Sequence, residues 1–244
     1  VCAFIKQQVA DFKCDGAVVG LSGGVDSALS SALCVRALGR DRVFGLILPE
    51  KESSPDSARF AAKHAASLGI ETATQEITPI LEAFGAYAER DAAIRRLLPE
   101  YESACKWKMV LPPDLLARDA LNFFTLKVLR PDGEVLSARL DNATLRRIVA
   151  ATNLKQRTRM TCLYHAAEVR NYLVCGTTNR NELIQGFFVK YGDGGLDIEP
   201  LAHLYKSQVT RLAACLGVIP EILNRAPTPD TYSFAVTDEE MYFR

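Results

Sequence analysis

Ala17-Val18-Val19-Gly20-Leu21-Ser22-Gly23-Gly24-Val25-Asp26-Ser27 is the stretch on which the fold turns. Ala17–Leu21 is a short apolar run bounded by glycines, and Ala28–Leu38 beyond it carries helical spacing and stops at Gly39. Working outward, Val43–Leu48 is a second apolar run, ended by Pro49. Ser54 suits a helix N-cap and Pro55 the first helical position, which predicts a helix through about Leu68 with Gly69 as its stop. Glu71–Ile77 reads as a third strand. Short joints between strand, helix, strand, helix and strand imply a βαβαβ unit, hence a parallel sheet with right-handed crossovers. Continuous apolar strands agree with a sheet covered on both faces. Further on, Tyr172–Cys175 reads as a fourth buried strand after a helix around Thr161–Arg170. The expected class is α/β, a doubly wound, Rossmann-like parallel sheet.

Composition narrows the function. Lys+Arg and Asp+Glu both number 29 in 244 residues, so the formal charge is zero. A protein that grips a nucleic-acid backbone usually carries a clear basic excess. A hydrophobic share of 48% and a charged share of 24% are ordinary for a globular protein with a sizeable core and exclude disorder. Apolar stretches such as Val43–Leu48 fall far short of the roughly 18–20 residues that span a bilayer. No basic segment followed by an apolar one opens the chain, which begins at Val1. The seven cysteines are scattered without a C-x-x-C pair, which argues against zinc and thioredoxin-like sites. Most lie among apolar residues, so buried reduced thiols and a cytoplasmic location are expected.

Residues 80–120 are expected to be mostly helical and hold the only tryptophan, Trp107. Phe123–Arg130 and Glu134–Leu140 flank Pro131-Asp132-Gly133, a hairpin signal. This stretch, about 84–152, reads as a central helical and hairpin elaboration of a single domain spanning 1–244, not as a second autonomous domain.

The chemistry concentrates in Gly20–Ser27, at the carboxyl end of a parallel strand, where open α/β sheets bind ligands. Adjacent glycines admit a ligand close to the backbone, and the N–H groups that open the helix face an anion. Ser22 and Ser27 add hydroxyl donors. Asp26 is discordant, because a carboxylate beside phosphates is repulsive unless a cation lies between them. Mg²⁺, which takes carboxylates, waters and phosphate oxygens, resolves the conflict. The segment matches neither G-x-x-x-x-G-K-[ST] nor G-x-G-x-x-G.

Ser22-Gly-Gly-Val-Asp-Ser27 resembles the PP-loop of the ATP pyrophosphatases, which hold the β- and γ-phosphates and cleave ATP between α and β. Further segments narrow the resemblance to the NAD synthetases of the ammonia-dependent type: Asn153–Met160, Gly176–Glu182, Lys190–Pro200, Leu204–Gln208 and Pro227–Asp230. The resemblance covers residues 17–78 and 153–230 and implies an adenine nucleotide alpha hydrolase-like fold. It implies ATP binding by Gly20, Leu21, Ser22, Gly23, Gly24, Val25, Asp26, Ser27, Thr177, Lys206 and Thr228. Asp26 and Glu182 would hold Mg²⁺, and Arg157, Lys190 and Asp197 would contact deamido-NAD. The activity implied is a carboxylate–ammonia ligase that adenylates deamido-NAD and releases AMP and pyrophosphate. Its partners would be ATP, deamido-NAD, ammonia and a second copy in a homodimer, with no nucleic acid and no membrane.

Two departures from the family pattern are visible. The stretch from Phe84 to Thr152 is longer than expected, and Met241-Tyr242-Phe243 follows the acidic Thr237–Glu240 where the family has Leu-Gly. They support one alternative, a related PP-loop ligase that amidates a different carboxylate. A tRNA-modifying PP-loop enzyme is disfavoured by the neutral charge and the missing C-x-x-C. A non-catalytic nucleotide-binding module would need neither Asp26 nor Glu182. His64 and His165 fall on expected helices and read as structural, and no nucleophile–base pair is evident.

Overall fold

The computed structural model describes residues 1–111, 123–226 and 232–234. Packing divides the chain into two compact units. The first comprises Val1–Glu50, Ser54–Thr78 and Lys155–Arg225; the second takes the described residues of Lys51–Ser53, Pro79–Leu154 and Ala226–Arg244.

The first unit is built on β1 (Gly16–Gly20), β2 (Val43–Ile47), β3 (Glu71–Thr74) and a later strand, Tyr172–Cys175. These form a four-stranded parallel sheet in which β1 lies between β2 and the later strand, with β3 at the edge beyond β2. All five residues of β2 are buried, as a central strand covered on both faces requires. β3 is exposed throughout and ends at Thr74, short of the expected Ile77. Pro49 has no N–H to continue the ladder, although the carbonyls of Ile47 and Pro49 still accept bonds from the amides of Gln75 and Ile77.

Around the sheet lie α1 (Cys2–Asp11), α2 (Val25–Leu38) and α3 (Pro55–Leu68). α2 stops at Gly39, and α3 has Ser54 as N-cap, Pro55 in its first turn and left-handed Gly69 as C-cap, as expected. Ile5, Val9, Val19, Leu29, Leu33, Leu173 and Val209 are among the core residues. His64 is buried on α3 with Nε2 3.1 Å from the Ala28 carbonyl of α2, and burial lowers its pKa. It is a packing residue. Of the seven free cysteines, Cys34, Cys105, Cys162 and Cys175 are buried and Cys215 is exposed.

In the second unit, α4 (Thr78–Ala83) and α5 (Ala86–Leu97) are helical as expected, but Trp107 is not on a helix. It lies on β4 (Lys106–Val110), which pairs antiparallel with β5 (Thr125–Leu129); β5 in turn pairs with β6 (Val135–Arg139). The expected hairpin is therefore two strands of a three-stranded sheet. Local spacing hides β4, since its partner is distant in sequence. Gly133, at φ +90°, closes the β5–β6 turn, and the Asp132 carboxylate accepts the Glu134 amide at 3.0 Å. Trp107 is fully buried with Ile94, Leu126, Val128 and Ile148 around it. Buried Arg90 bonds Glu52 at 2.7 Å and Asp91 through two nitrogens.

α6 (Asn142–Arg170) runs 29 residues, far beyond the expected Thr161–Arg170. Asp141 starts it: its Oδ1 accepts the amides of Ala143 and Thr144, both at 2.9 Å. The later strand, now β7 (Tyr172–Cys175), is followed by α7 (Arg180–Gln185), α8 (Lys206–Cys215) and α9 (Pro220–Leu223). Among the described residues no helix is long and apolar enough to cross a membrane.

Candidate functional site

β2 and β3 lie on one side of β1 and β7 on the other, so the strand order reverses between β1 and β7. Open α/β sheets bind ligands outside the carboxyl ends of the strands at such a point. Gly20–Ser27 leaves β1 there, and Gly176–Asn179 leaves β7. The Ser30 hydroxyl joins the two segments, donating to the Gly176 carbonyl at 3.1 Å.

The loop from β1 is closed on itself. The hydroxyls of Ser22 and Ser27 are 3.0 Å apart, Ser27 Oγ accepts the Ser22 amide and bonds the Gly24 carbonyl, and Ser22 Oγ accepts the Gly24 amide. Gly23 has φ +75°, and a Cβ there would lie 2.3 Å from the Ser57 carbonyl oxygen, so only glycine fits. Leu21 and Val25 turn their side chains to the core and offer the loop only backbone. The amides at the start of α2 carry the positive end of the helix dipole, a setting for phosphate.

Asp26, in the first turn of α2, meets the second segment through Asn179. Asn179 is buried and caps α7: its Oδ1 accepts the amides of Asn181 (2.9 Å) and Glu182 (3.3 Å). That use of the oxygen leaves its NH₂ to donate to Asp26 Oδ1 at 3.1 Å. The Asn179 amide in turn donates to Glu182 Oε2 at 2.9 Å, completing a capping box. One asparagine therefore hydrogen-bonds both carboxylates expected to hold metal. The Lys206 ammonium forms an ion pair with Asp26 Oδ2, and the Lys206 amide, at the start of α8, donates to Asn181 Oδ1 at 2.9 Å. Carboxylates with an amide between them are hard oxygen donors, a chemistry that fits magnesium. Asn179 and Asn181 carry no assigned role in the sequence reading, although Asn-x-x-Glu ahead of an apolar pair is a recognisable cap signal.

Thr177 is half-buried in the segment after β7. Thr228 lies outside the described residues. Arg157 is exposed on α6, with its Nε donating to the Lys190 carbonyl at 3.2 Å, so these two residues come together. Asp197 accepts the Tyr164 hydroxyl at 2.9 Å and the Val174 amide at 2.7 Å, which fixes it against the end of β7. Burial and the neighbouring Asp197 push the Tyr164 phenol up, so it stays a donor. Tyr164 is a further residue that sequence reasoning missed, because its tie to Asp197 is a tertiary contact.

Known proteins match this architecture. The chain is 48% identical to the NH(3)-dependent NAD(+) synthetase of Mesorhizobium japonicum, over 98% of this chain and 74% of the relative. It is 42% identical to that of Thermotoga maritima, over 97% of this chain and 78% of the relative. Among solved structures, the NMN synthetase of Francisella tularensis superposes with TM-score 0.69 at 28% identity, covering 98% of this chain and 76% of that one. The NH3-dependent NAD synthetase of Campylobacter jejuni gives TM-score 0.63 at 28% identity, covering 91% and 72%. The NAD synthase family profile matches residues 1–106 and 122–242, and with that match and these relatives the chain belongs to the NAD synthase family.

Proposed function

We propose that the protein is an ammonia-dependent NAD synthetase, a ligase that converts deamido-NAD, ammonia and ATP to NAD, AMP and pyrophosphate. The observation that carries the proposal is the meeting of the Ser22–Ser27 loop, Asn179 and Lys206 at the strand-order reversal, in a chain of this family. The β1 loop and the first amides of α2 bind the departing pyrophosphate. Lys206 supplies countercharge, and Thr177 and Thr228 complete ATP binding. Arg157 and Lys190 carry positive charge suited to the anionic groups of deamido-NAD, and Asp197, held by Tyr164 and Val174, suits ribose hydroxyls. Asp26 and Glu182 would hold Mg²⁺, which when bound would neutralise charge on the polyphosphate.

The nicotinate carboxylate attacks the α-phosphorus and pyrophosphate leaves; ammonia then displaces AMP from the acyl-adenylate and loses a proton as the amide forms. No protein nucleophile is required, and the residues contribute position and electrostatics. The chain acts in the cytoplasm as a homodimer, with 84–152 as an elaboration of one synthetase domain.

Product analysis by ion-exchange chromatography tests the proposal. With MgATP, deamido-NAD and ammonium, the expected products are NAD, AMP and pyrophosphate; stoichiometric ADP overturns it, as does equal turnover with glutamine. A second reading, amidation of a different carboxylate, draws on the likeness to the Francisella tularensis NMN synthetase. Preference for the corresponding mononucleotide acid over deamido-NAD would establish that reading.

A further inference from the structure

An ion pair with no part in the assigned chemistry joins the carboxyl end of β2 to α6. Lys155 Nζ is 2.8 Å from Glu50 Oε1, and the two side chains are only 4% and 0% exposed. Glu50 follows the carboxyl end of β2, while Lys155 is on α6. Four residues along that helix, Arg159 donates its Nε to the Leu48 carbonyl at 3.1 Å, also at the end of β2. Four further on, Leu163 packs where a Cβ on Gly20 would be 3.3 Å away, at the end of β1. Residues 155, 159 and 163 are thus one helical stripe laid across the carboxyl ends of two strands. Arg157 stands about 200° around the helix from Lys155 and faces the Lys190 segment.

A buried ion pair adds little net stability compared with apolar residues of the same volume. What it does supply is a directional tie. Sliding or rotating α6 by one residue would draw the buried Lys155 ammonium away from the Glu50 carboxylate.

We infer that Lys155 is a positioning residue: its ion pair with Glu50 sets the rotation of α6 that presents Arg157 to the acceptor substrate. The inference rests on the proposed deamido-NAD site. It also ties the carboxyl end of β2 to the helix that carries Arg157.

The test replaces the pair with Glu50→Met and Lys155→Met together. The apolar pair should keep the wild-type melting temperature, as buried-pair replacements commonly do. A purely structural pair would then leave kinetics untouched. A positioning pair gives a different split: KM for deamido-NAD rises about tenfold or more, because displacement of about 1 Å is enough to do so, while KM for ATP is unchanged. A wild-type acceptor KM in the folded double variant overturns the inference. If the double variant does not fold, Lys155→Arg keeps the charge but alters its reach; a raised acceptor KM supports the inference and an unchanged one refutes it. Wild-type enzyme is the control for the function itself. Should it fail to use deamido-NAD, that assignment falls, and hydrogen exchange of α6 amides 155–161 still tests the tie. Faster exchange there in the double variant, with α2 unchanged, supports it; equal exchange removes it.

Discussion

Asn179 shows how much one buried side chain organises. It caps α7 with its oxygen, steadies Asp26 with its nitrogen and holds Glu182 with its backbone amide. Asp26→Asn and Glu182→Gln delete charge while keeping shape, and glutamine still serves the capping box. Both variants should therefore fold, Glu182→Gln with a stability change of roughly 1 kcal/mol or less and Asp26→Asn with a larger loss, because it breaks the ion pair with Lys206. Pyrophosphate release should fall by about two orders of magnitude or more, since several kcal/mol of charge stabilisation depends on the ion they are proposed to hold. The double variant should lose little beyond the worse single one, because the same ion is lost only once. Near-normal release from Glu182→Gln at saturating Mg²⁺ would remove Glu182 from the site. Asp26 and Glu182 stand out in the sequence through their motifs, and the cap that Asn179 makes on α7 is local, but its bond to Asp26 exists only once β1 and β7 are neighbours.

At the scale of elements, α6 contributes most. Its start is fixed by Asp141, whose pKa is held at about 2, below the usual 3.8, chiefly by the Thr144 amide and then by the Thr144 hydroxyl and Arg96. A carboxyl with a depressed folded pKa stabilises the fold fully above its unfolded value. That stability is lost as pH falls from about 4 to about 2. Asp141→Asn caps equally well but does not titrate. Chemical denaturation of both proteins across that range should show the wild type losing stability more steeply, with the difference shrinking toward pH 2. Parallel pH profiles would count against the cap. The Asp141-Asn142-Ala143-Thr144 cap signal was available in the sequence. The polar stretch behind it obscured the helix, since residues between 142 and 160 face different surroundings along its length.

For the whole molecule, each unit has its own core, and the single tryptophan reports on the second. Leu126 is fully buried beside Trp107, so Leu126→Ala should destabilise that unit by about 2–5 kcal/mol. Urea titration read by tryptophan emission would show the earlier transition, and an unmoved midpoint would contradict the packing. Sedimentation should give twice the 26.8 kDa of the chain if the proposed homodimer is correct; a particle of chain mass at micromolar concentration would end that proposal. The parallel sheet, its crossovers and the Ser22–Ser27 loop follow from sequence alone. Apolar runs of strand length, Pro55 and Gly69 at a helix's ends, and paired glycines act through neighbours a few residues away. Contacts across long stretches of chain were decided only by the tertiary structure. They include Trp107 paired into β4–β5, Lys155 against Glu50, and Asn179 against Asp26. Each depends on which strand lies beside which, and a side chain's partner across a sheet leaves no periodic mark in the segment that carries it.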